Sequence, residues 1–268
     1  MKNKRLRQNI VTLIIALCGV FLTCFAGYKL LSQFNDYKQS NDLYSDLEDK
    51  YVKVNEEIDA SETSEESFVW YQLADVDLAS LKQQNSDVVG WIFFENEDIS
   101  YPVLFAGDNE KYLRTSIDGS YATAGSIFME ENNNPDFEDS HSIIYGHNMR
   151  NLSMFGKLKY YNREEDYYDS HQYFQIFVDG KIYRYQIFAY ETVDENSFIY
   201  EVPFSADSNF ENFISKINKI SEKKTGVNVT KDDKVITLST CSTSGDQYRF
   251  VVHAVRVDTY DKEKINEE

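Results

Sequence analysis

Cysteine is scarce in this chain, and where the few cysteines fall matters more than their number. Of the three, Cys18 and Cys24 lie in an apolar N-terminal run, and neither follows the small-residue pattern of a lipoprotein site. Both read as apolar filler of a helix. Cys241 is left without a partner for an intramolecular disulfide, so a disulfide framework is excluded. A lone thiol of this kind is an accident, an intermolecular link or a reactive group. Proline and glycine are also few, 3 and 11, against 20 tyrosines and 18 phenylalanines. That balance excludes a disordered chain and favours an ordered, strand-rich domain with a sizeable core. Positive charge is short as well. Five of the 27 basic residues and none of the 45 acidic ones lie in residues 1–31, which leaves 22 against 45 in the remainder. So acidic a body argues against a nucleic-acid partner, and solubility accounts for most of the excess. No internal repeat is present.

The one long apolar run is at the N-terminus. Lys2, Lys4, Arg5 and Arg7 precede Ile10 to Leu31, roughly the 20 residues a helix needs to cross a bilayer. The basic flank predicts that residues 1–9 stay in the cytoplasm, that 10–31 form an uncleaved anchor and that the bulk lies outside the cell. A cleaved signal peptide is the rival reading. The run is long for one, and Phe25-Ala26-Gly27 is a poor cleavage site. Beyond it, Ser32 to about Glu66 is acidic and lacks Gly and Pro. Phe34, Tyr37, Leu43, Tyr44, Leu47, Tyr51, Val54 and Ile58 recur at three- and four-residue steps, which predicts an amphipathic helix, as a stalk or packed on the domain. Ser61 to Ser67, SETSEES, reads as a linker.

From residue 77 the pattern changes. Asp77 to Gln84 predicts a short helix. Asp87 to Phe94, Ile99 to Phe105, Ser126 to Met129 and Ser142 to Tyr145 predict strands. A helix-prone polar piece, DNEKYLRTS, follows the second of these, and Met149 to Tyr160 reads as a loop or short helix. Asp179-Gly180 is a strong turn pair that joins Tyr173–Phe177 to Lys181–Thr192 as a hairpin. In the long connection Val193 to Asp233, the residues Phe210, Phe213, Ile214, Ile217 and Ile220 have helical spacing. Many short strands with few helices suggest a closed or nearly closed barrel.

The chemistry concentrates near the end. Lys234 to Cys241 alternates as a strand, with Val235, Thr237, Ser239 and Cys241 on one face. Ser242 to Gln247, broken by Gly245-Asp246, turns the chain, and Tyr248 to Val257 returns as a second strand. The hairpin makes Cys241 and Arg249 neighbours at one rim. A cation beside a thiol favours thiolate and can hold an oxyanion. A thiol nucleophile also needs an acid or base. His253 lies four residues along the strand from Arg249, well over 10 Å at ~3.4 Å per residue, and His141 and His171 have no such placement. His147 ends a strand in Tyr145-Gly146-His147-Asn148, where Gly146 frees the backbone and a loop can expose an imidazole.

Together these residues carry a resemblance. TLSTC closing a strand, an Arg opening the next, and the His of YGHN about ninety residues earlier resemble the sortase family, the cysteine transpeptidases of Gram-positive cell surfaces. DVVGWIFFENEDISYPVLFAGDNEKYLRTSIDGSYATAGSIFME, and a helix in the connection before the Cys strand, are similar to class B members. The resemblance spans roughly Leu73 to Val257. It implies an eight-stranded antiparallel barrel, closed, with peripheral helices and preceded by the transmembrane helix. The expected organisation is a helical stalk or linker over 32–72, a catalytic domain over 73–260 and a tail over 261–268.

The resemblance also implies roles. Cys241 is the expected nucleophile on the carbonyl of a Thr in a C-terminal sorting signal. His147 is expected to protonate the leaving amine and Arg249 to hold the substrate carbonyl or oxyanion. The thioacyl intermediate is expected to pass to an amino group of a peptidoglycan precursor, lipid II. Ser239, Asn109, Leu113, Thr192 and Tyr200 are the expected substrate contacts. Ser239 is supported independently by sharing the pleat face of Cys241, while Leu113 and Tyr200 could equally be core. No acidic pair is placed for the calcium site of some class A members, and neither metal nor cofactor is expected. Three other readings stand beside this one: a pilus-type sortase joining protein subunits, a surface binding module with an inert Cys, and a plain cysteine protease.

Overall fold

The computed structural model describes residues 2–55, 58, 69–241, 245 and 247–262, with side chains from residue 11 onward. The SETSEES linker, Ser242 to Ser244, Asp246 and residues 263–268 lie outside the described residues.

The apolar run and the amphipathic stretch form one helix, α1 (Lys2–Tyr51). Its part from Val11 contains a window long and apolar enough to cross a membrane, none of it buried. Further on, Tyr44, Leu47 and Tyr51 repeat at helical spacing and are buried against the domain. The Tyr44 hydroxyl donates to the Gly125 carbonyl at 2.9 Å and lies 2.8 Å from Ser126 Oγ. This half of the helix is therefore packed rather than a free stalk. The helix ends at Tyr51 and does not continue to Ile58. Val52 and Val54 are β-branched and suit a strand, and β1 (Val52–Val54) pairs antiparallel with β2 (Ala74–Val76).

Chain order then gives α2 (Leu78–Gln84), β3 (Val88–Phe94), β4 (Ser100–Leu104), β5 (Ile127–Met129), β6 (His141–Tyr145), α3 (Tyr167–Ser170), β7 (Tyr173–Val178), β8 (Lys181–Asp194), α4 (Ser208–Ile220), β9 (Val235–Cys241) and β10 (Tyr248–Asp261). The Asp77 side chain caps α2 by accepting from the Ser80 amide, one of the orphan donors that every helix start leaves. DNEKYLRTS forms only a single 3-10 turn, Lys111–Leu113.

Eight strands close the barrel in the order β10-β8-β7-β3-β4-β5-β6-β9. The expectation of a wholly antiparallel barrel is corrected at two places, because β4 pairs parallel with β5 and β6 pairs parallel with β9. Both pairs are joined by connections long enough to return the chain to the end from which it started. Phe94, Phe174, Tyr185 and Leu238 fill the interior core. A second core lies outside the wall, where Phe210, Phe213, Ile214 and Ile217 of α4 cover Phe188, Val235, Val251 and Val255. Ile220, at the end of that helical pattern, is exposed.

Between wall and helix runs a buried polar line. Thr237 Oγ1 lies 2.7 Å from His141 Nε2 and 2.8 Å from His253 Nδ1, and His253 Nε2 lies 3.0 Å from Glu191 Oε1. His141 and His253 are thus structural, as buried imidazoles with partners usually are.

Candidate active site

Strand register alone brings the three expected residues together. Cys241 ends β9, and Arg249, the second residue of β10, is its direct cross-strand partner. On the other flank β6 runs parallel to β9 with Tyr145 opposite Ser239. The ladder extends one step further, with the Gly146 amide donating to the Ser239 carbonyl at 3.1 Å. His147, two residues beyond Tyr145, therefore leaves β6 beside Cys241, two residues beyond Ser239. Asn148 ties the two ends together, its Nδ2 donating to the Cys241 carbonyl at 2.7 Å.

Gly146 earns its place by packing rather than by backbone freedom. A Cβ there would sit 2.4 Å from Ile127 Cδ1 and 2.7 Å from Phe155 Cδ2, too close for any side chain in a dense interior. The loop after it folds back, and the Phe155 amide donates to the His147 carbonyl at 3.1 Å.

The His147 ring is half-buried. Its Nε2 is 2.8 Å from the Leu113 carbonyl. A carbonyl only accepts, so Nε2 carries the hydrogen and a neutral ring leaves Nδ1 as its basic nitrogen. Burial, followed by the Arg114 charge, lowers the imidazole pKa below 6.5, and the Leu113 carbonyl opposes them. Cys241 is exposed at the strand end. Arg249 donates from Nη2 to Glu195 Oε2 at 2.8 Å and from Nη1 to the Tyr248 carbonyl at 3.1 Å. The fork is thereby held at the rim in a fixed orientation.

These residues line one cleft of about 240 Å³ together with Asn109, Leu113, Phe128, Tyr145, Ser239 and Thr240. Asn109 is anchored by Glu130 and by the Glu131 amide. Leu113, 40% exposed, is cleft lining and not core. Ser239 is buried, and its Oγ lies 2.9 Å from Tyr200 Oη. Tyr200 stands on the same side of the sheet as Cys241, over Ser239, with its ring stacked on Tyr145 at 6.4 Å. Burial pushes its hydroxyl up to about 12.

Thr192 is not brought to the cleft. It pairs with Phe250, whereas Val193 pairs with Arg249. Alternation along β10 puts Phe250 and Arg249 on opposite faces, so Thr192 stands on the wrong side of the sheet. Its amide instead donates to Glu222 Oε1 at 3.1 Å. Tyr145, Glu195 and Asn148 escaped the sequence reading. Tyr145 and Asn148 flank Gly146-His147 and were legible as neighbours of a candidate. Glu195 required the register of β8 against β10. Among the described residues no group of three or more His, Cys, Asp or Glu side chains could hold a metal ion.

A thiol, an imidazole and a fixed guanidinium around one cleft can perform acyl transfer. The comparisons agree with that chemistry. The Sortase domain family model matches residues 95–257. Over 247 residues the chain is 34% identical to sortase B of Listeria monocytogenes, covering 92% of this chain and 94% of that protein. The crystal structure of sortase B from B. anthracis superposes with a TM-score of 0.69 at 30% identity, covering 84% of this chain and 99% of that one. A substrate complex of Staphylococcus aureus sortase B gives a TM-score of 0.68 at 28% identity, covering 83% and 99%.

Proposed function

Because the chain belongs to the sortase family, in its class B, and is a sortase transpeptidase, we propose that Cys241, His147 and Arg249 carry its reaction on a C-terminal sorting signal. The observation behind this assignment is the double register at β9, antiparallel to Arg249 on one side and parallel to the strand feeding His147 on the other.

In the proposed reaction the Cys241 proton passes to His147 Nδ1 and the sulfur adds to the carbonyl carbon of a signal Thr. Arg249 faces the oxygen that gains charge. The intermediate collapses by breaking the C–N bond, His147 returns its proton to the departing amine, and a thioester remains. An incoming amine then adds to the thioester. His147 takes one proton from it, the C–S bond breaks, and the proton returns to Cys241. The amine we propose is that of a peptidoglycan precursor, lipid II, so that the product is a surface protein joined to the cell wall.

The sortase family is associated with the cell surface, and one N-terminal helix of this chain is long and apolar enough to span a membrane. We place residues 10–31 in the membrane, residues 1–9 in the cytoplasm and the barrel outside. A membrane-borne acceptor then shares a surface with the enzyme.

The test is turnover by the full chain in detergent of quenched peptides spanning NPxTx and xPxTG signals, with and without an amine. The expected result is cleavage after Thr, product diverted to the amine, and none of either from Cys241→Ala. Equal turnover by that variant would refute the assignment. Cleavage that no amine can divert would make the protein a plain cysteine protease.

A further inference from the structure

Glu130 follows β5 directly and is only 6% exposed. Nothing in the reaction above uses it, yet both of its oxygens are fully engaged. Oε2 accepts from Asn109 Nδ2 and from Tyr145 Oη, each at 2.8 Å. Oε1 accepts from Asn132 Nδ2 at 2.8 Å and from the Asn132 amide at 3.3 Å. A carboxylate is the one side chain that can take four donors and offer none. A buried group so surrounded is a clamp, not a base.

The clamp closes on two residues that line the cleft. The Asn109 carboxamide is fixed at both ends, because its Oδ1 accepts from the Glu131 amide at 3.0 Å while one Nδ2 hydrogen goes to Glu130. The usual ambiguity between amide oxygen and nitrogen is thereby removed. The remaining Nδ2 hydrogen has no protein acceptor among the described residues. Tyr145 is fixed through its hydroxyl, and its ring lies 5.3 Å from Phe128 and stacks on Tyr200, which meets Ser239. The carboxylate thus sets two lining residues of the cleft other than Cys241, His147 and Arg249.

We propose that Glu130 is a positioning residue for substrate binding, holding the Asn109 carboxamide so that the cleft offers an amide donor, and no amide acceptor, to a carbonyl of the bound peptide. The inference rests on the transpeptidase reading above. Glu130 acts through Asn109, not on the reacting atoms, so its loss weakens binding of ground state and transition state alike and appears in KM.

Two substitutions withdraw the acceptor in different ways. Glu130→Gln turns one carboxylate oxygen into an NH2 group set against the donors on Oε2 or those on Oε1, which breaks the four-donor clamp, and Glu130→Asp retracts the carboxylate by a methylene. In the full chain in detergent, with the sorting peptide that the wild type turns over best, each raises KM about ten-fold, the equivalent of one lost hydrogen bond. Turnover number stays within about two-fold, and modification of Cys241 by a methanethiosulfonate keeps its rate. In an Asn109→Ala background, Glu130→Gln adds nothing further to KM.

An unchanged KM in a folded Glu130 variant overturns the proposal. So does an equal rise in the Asn109→Ala background, or a joint fall of turnover and thiol reactivity. If neither variant folds, Glu130 is a determinant of the fold and the proposal also fails. Absence of any Cys241-dependent turnover by the wild type would instead remove the transpeptidase reading, and this inference with it.

Discussion

Cys241 and Arg249 are direct partners across the β9–β10 ladder, so the thiol and the guanidinium leave adjacent strands on the same face at the same height. Glu195 holds the far side of the guanidinium at 2.8 Å, and Arg249 therefore faces the cleft already oriented. Replacing it with Ala should lower kcat/KM by about 10²–10³-fold, the usual cost of one oxyanion donor. Arg249→Lys should recover little of that, since an ammonium cannot meet Glu195 and an oxyanion with one planar fork. Steady-state kinetics alongside methanethiosulfonate labelling separates the cases. Labelling should persist while turnover falls, and a variant within two-fold of wild type would remove Arg249 from the chemistry.

His147 gives a pH signature with a defined sign. Burial, then Arg114, holds its pKa below 6.5, so the ring is neutral at pH 7 and ready to take a proton. The limb of the kcat/KM profile that reports His147 should lie below 6.5. Arg114, whose Nη1 donates to the Thr123 carbonyl at 3.0 Å, can be replaced without touching the cleft lining. Arg114→Gln removes a like charge and should move that limb upward. A limb that stays put or moves down would mean that another group sets it.

The juxtaposition of Cys241, His147 and Arg249 was legible in sequence because it depends on local rules. Strand alternation put Ser239 and Cys241 on one face, the hairpin put Arg249 opposite Cys241, and the glycine before His147 marked a strand end. The substrate half depends on pairings distant in the chain. Thr192 was misplaced because its pleat parity follows from the β8–β10 register, which pairs Thr192 with Phe250 and Val193 with Arg249 and which no local periodicity reveals. The Asn109–Glu130–Tyr145 contacts join three segments that no periodicity connects. The end of α1 was likewise invisible, since Val54 and Ile58 continue the helical spacing and only the partner strand β2 decides otherwise.

His141 should govern stability on the acid side. The unfolded chain's imidazole titrates near 6.5, while burial and then the His253 charge depress the folded ring to about 3, against the smaller opposing pull of the Glu201 carbonyl. Between those values the unfolded state binds the extra proton. Stability is therefore full above 6.5 and declines as pH falls through the window, by up to about 1.4 kcal/mol per unit. Thr237, His253 and Glu191 complete the buried line around it. Melting temperature against pH should show this slope between 6.5 and 4.5, above most carboxylates. His141→Gln, whose amide oxygen can accept from Thr237 in place of Nε2 but which cannot take a proton in this range, should flatten it. An unchanged slope would place the acid sensitivity elsewhere.

Tyr44 tests whether the juxtamembrane helix is part of the folded unit. Its ring packs edge-on against Tyr101 at 5.5 Å, and its hydroxyl meets the Gly125 carbonyl and Ser126 Oγ inside the domain. Ser126 Oγ keeps a second bond, donated to the Thr115 carbonyl at 2.8 Å, so Tyr44→Phe strands mainly the Gly125 carbonyl. The expected loss is about 1–3 kcal/mol, read as a fall of about 2–4 °C in melting temperature for each kcal/mol in a domain of this size. Tyr44→Ala should cost more, because it also empties the space beside Tyr101. The segment that Tyr44 supports, Thr115 to Ser126, begins just past Leu113, whose carbonyl holds the His147 ring. Loosening it should therefore lower turnover at temperatures below unfolding. A helix that merely tethers the barrel would leave both melting and turnover unchanged in the two variants.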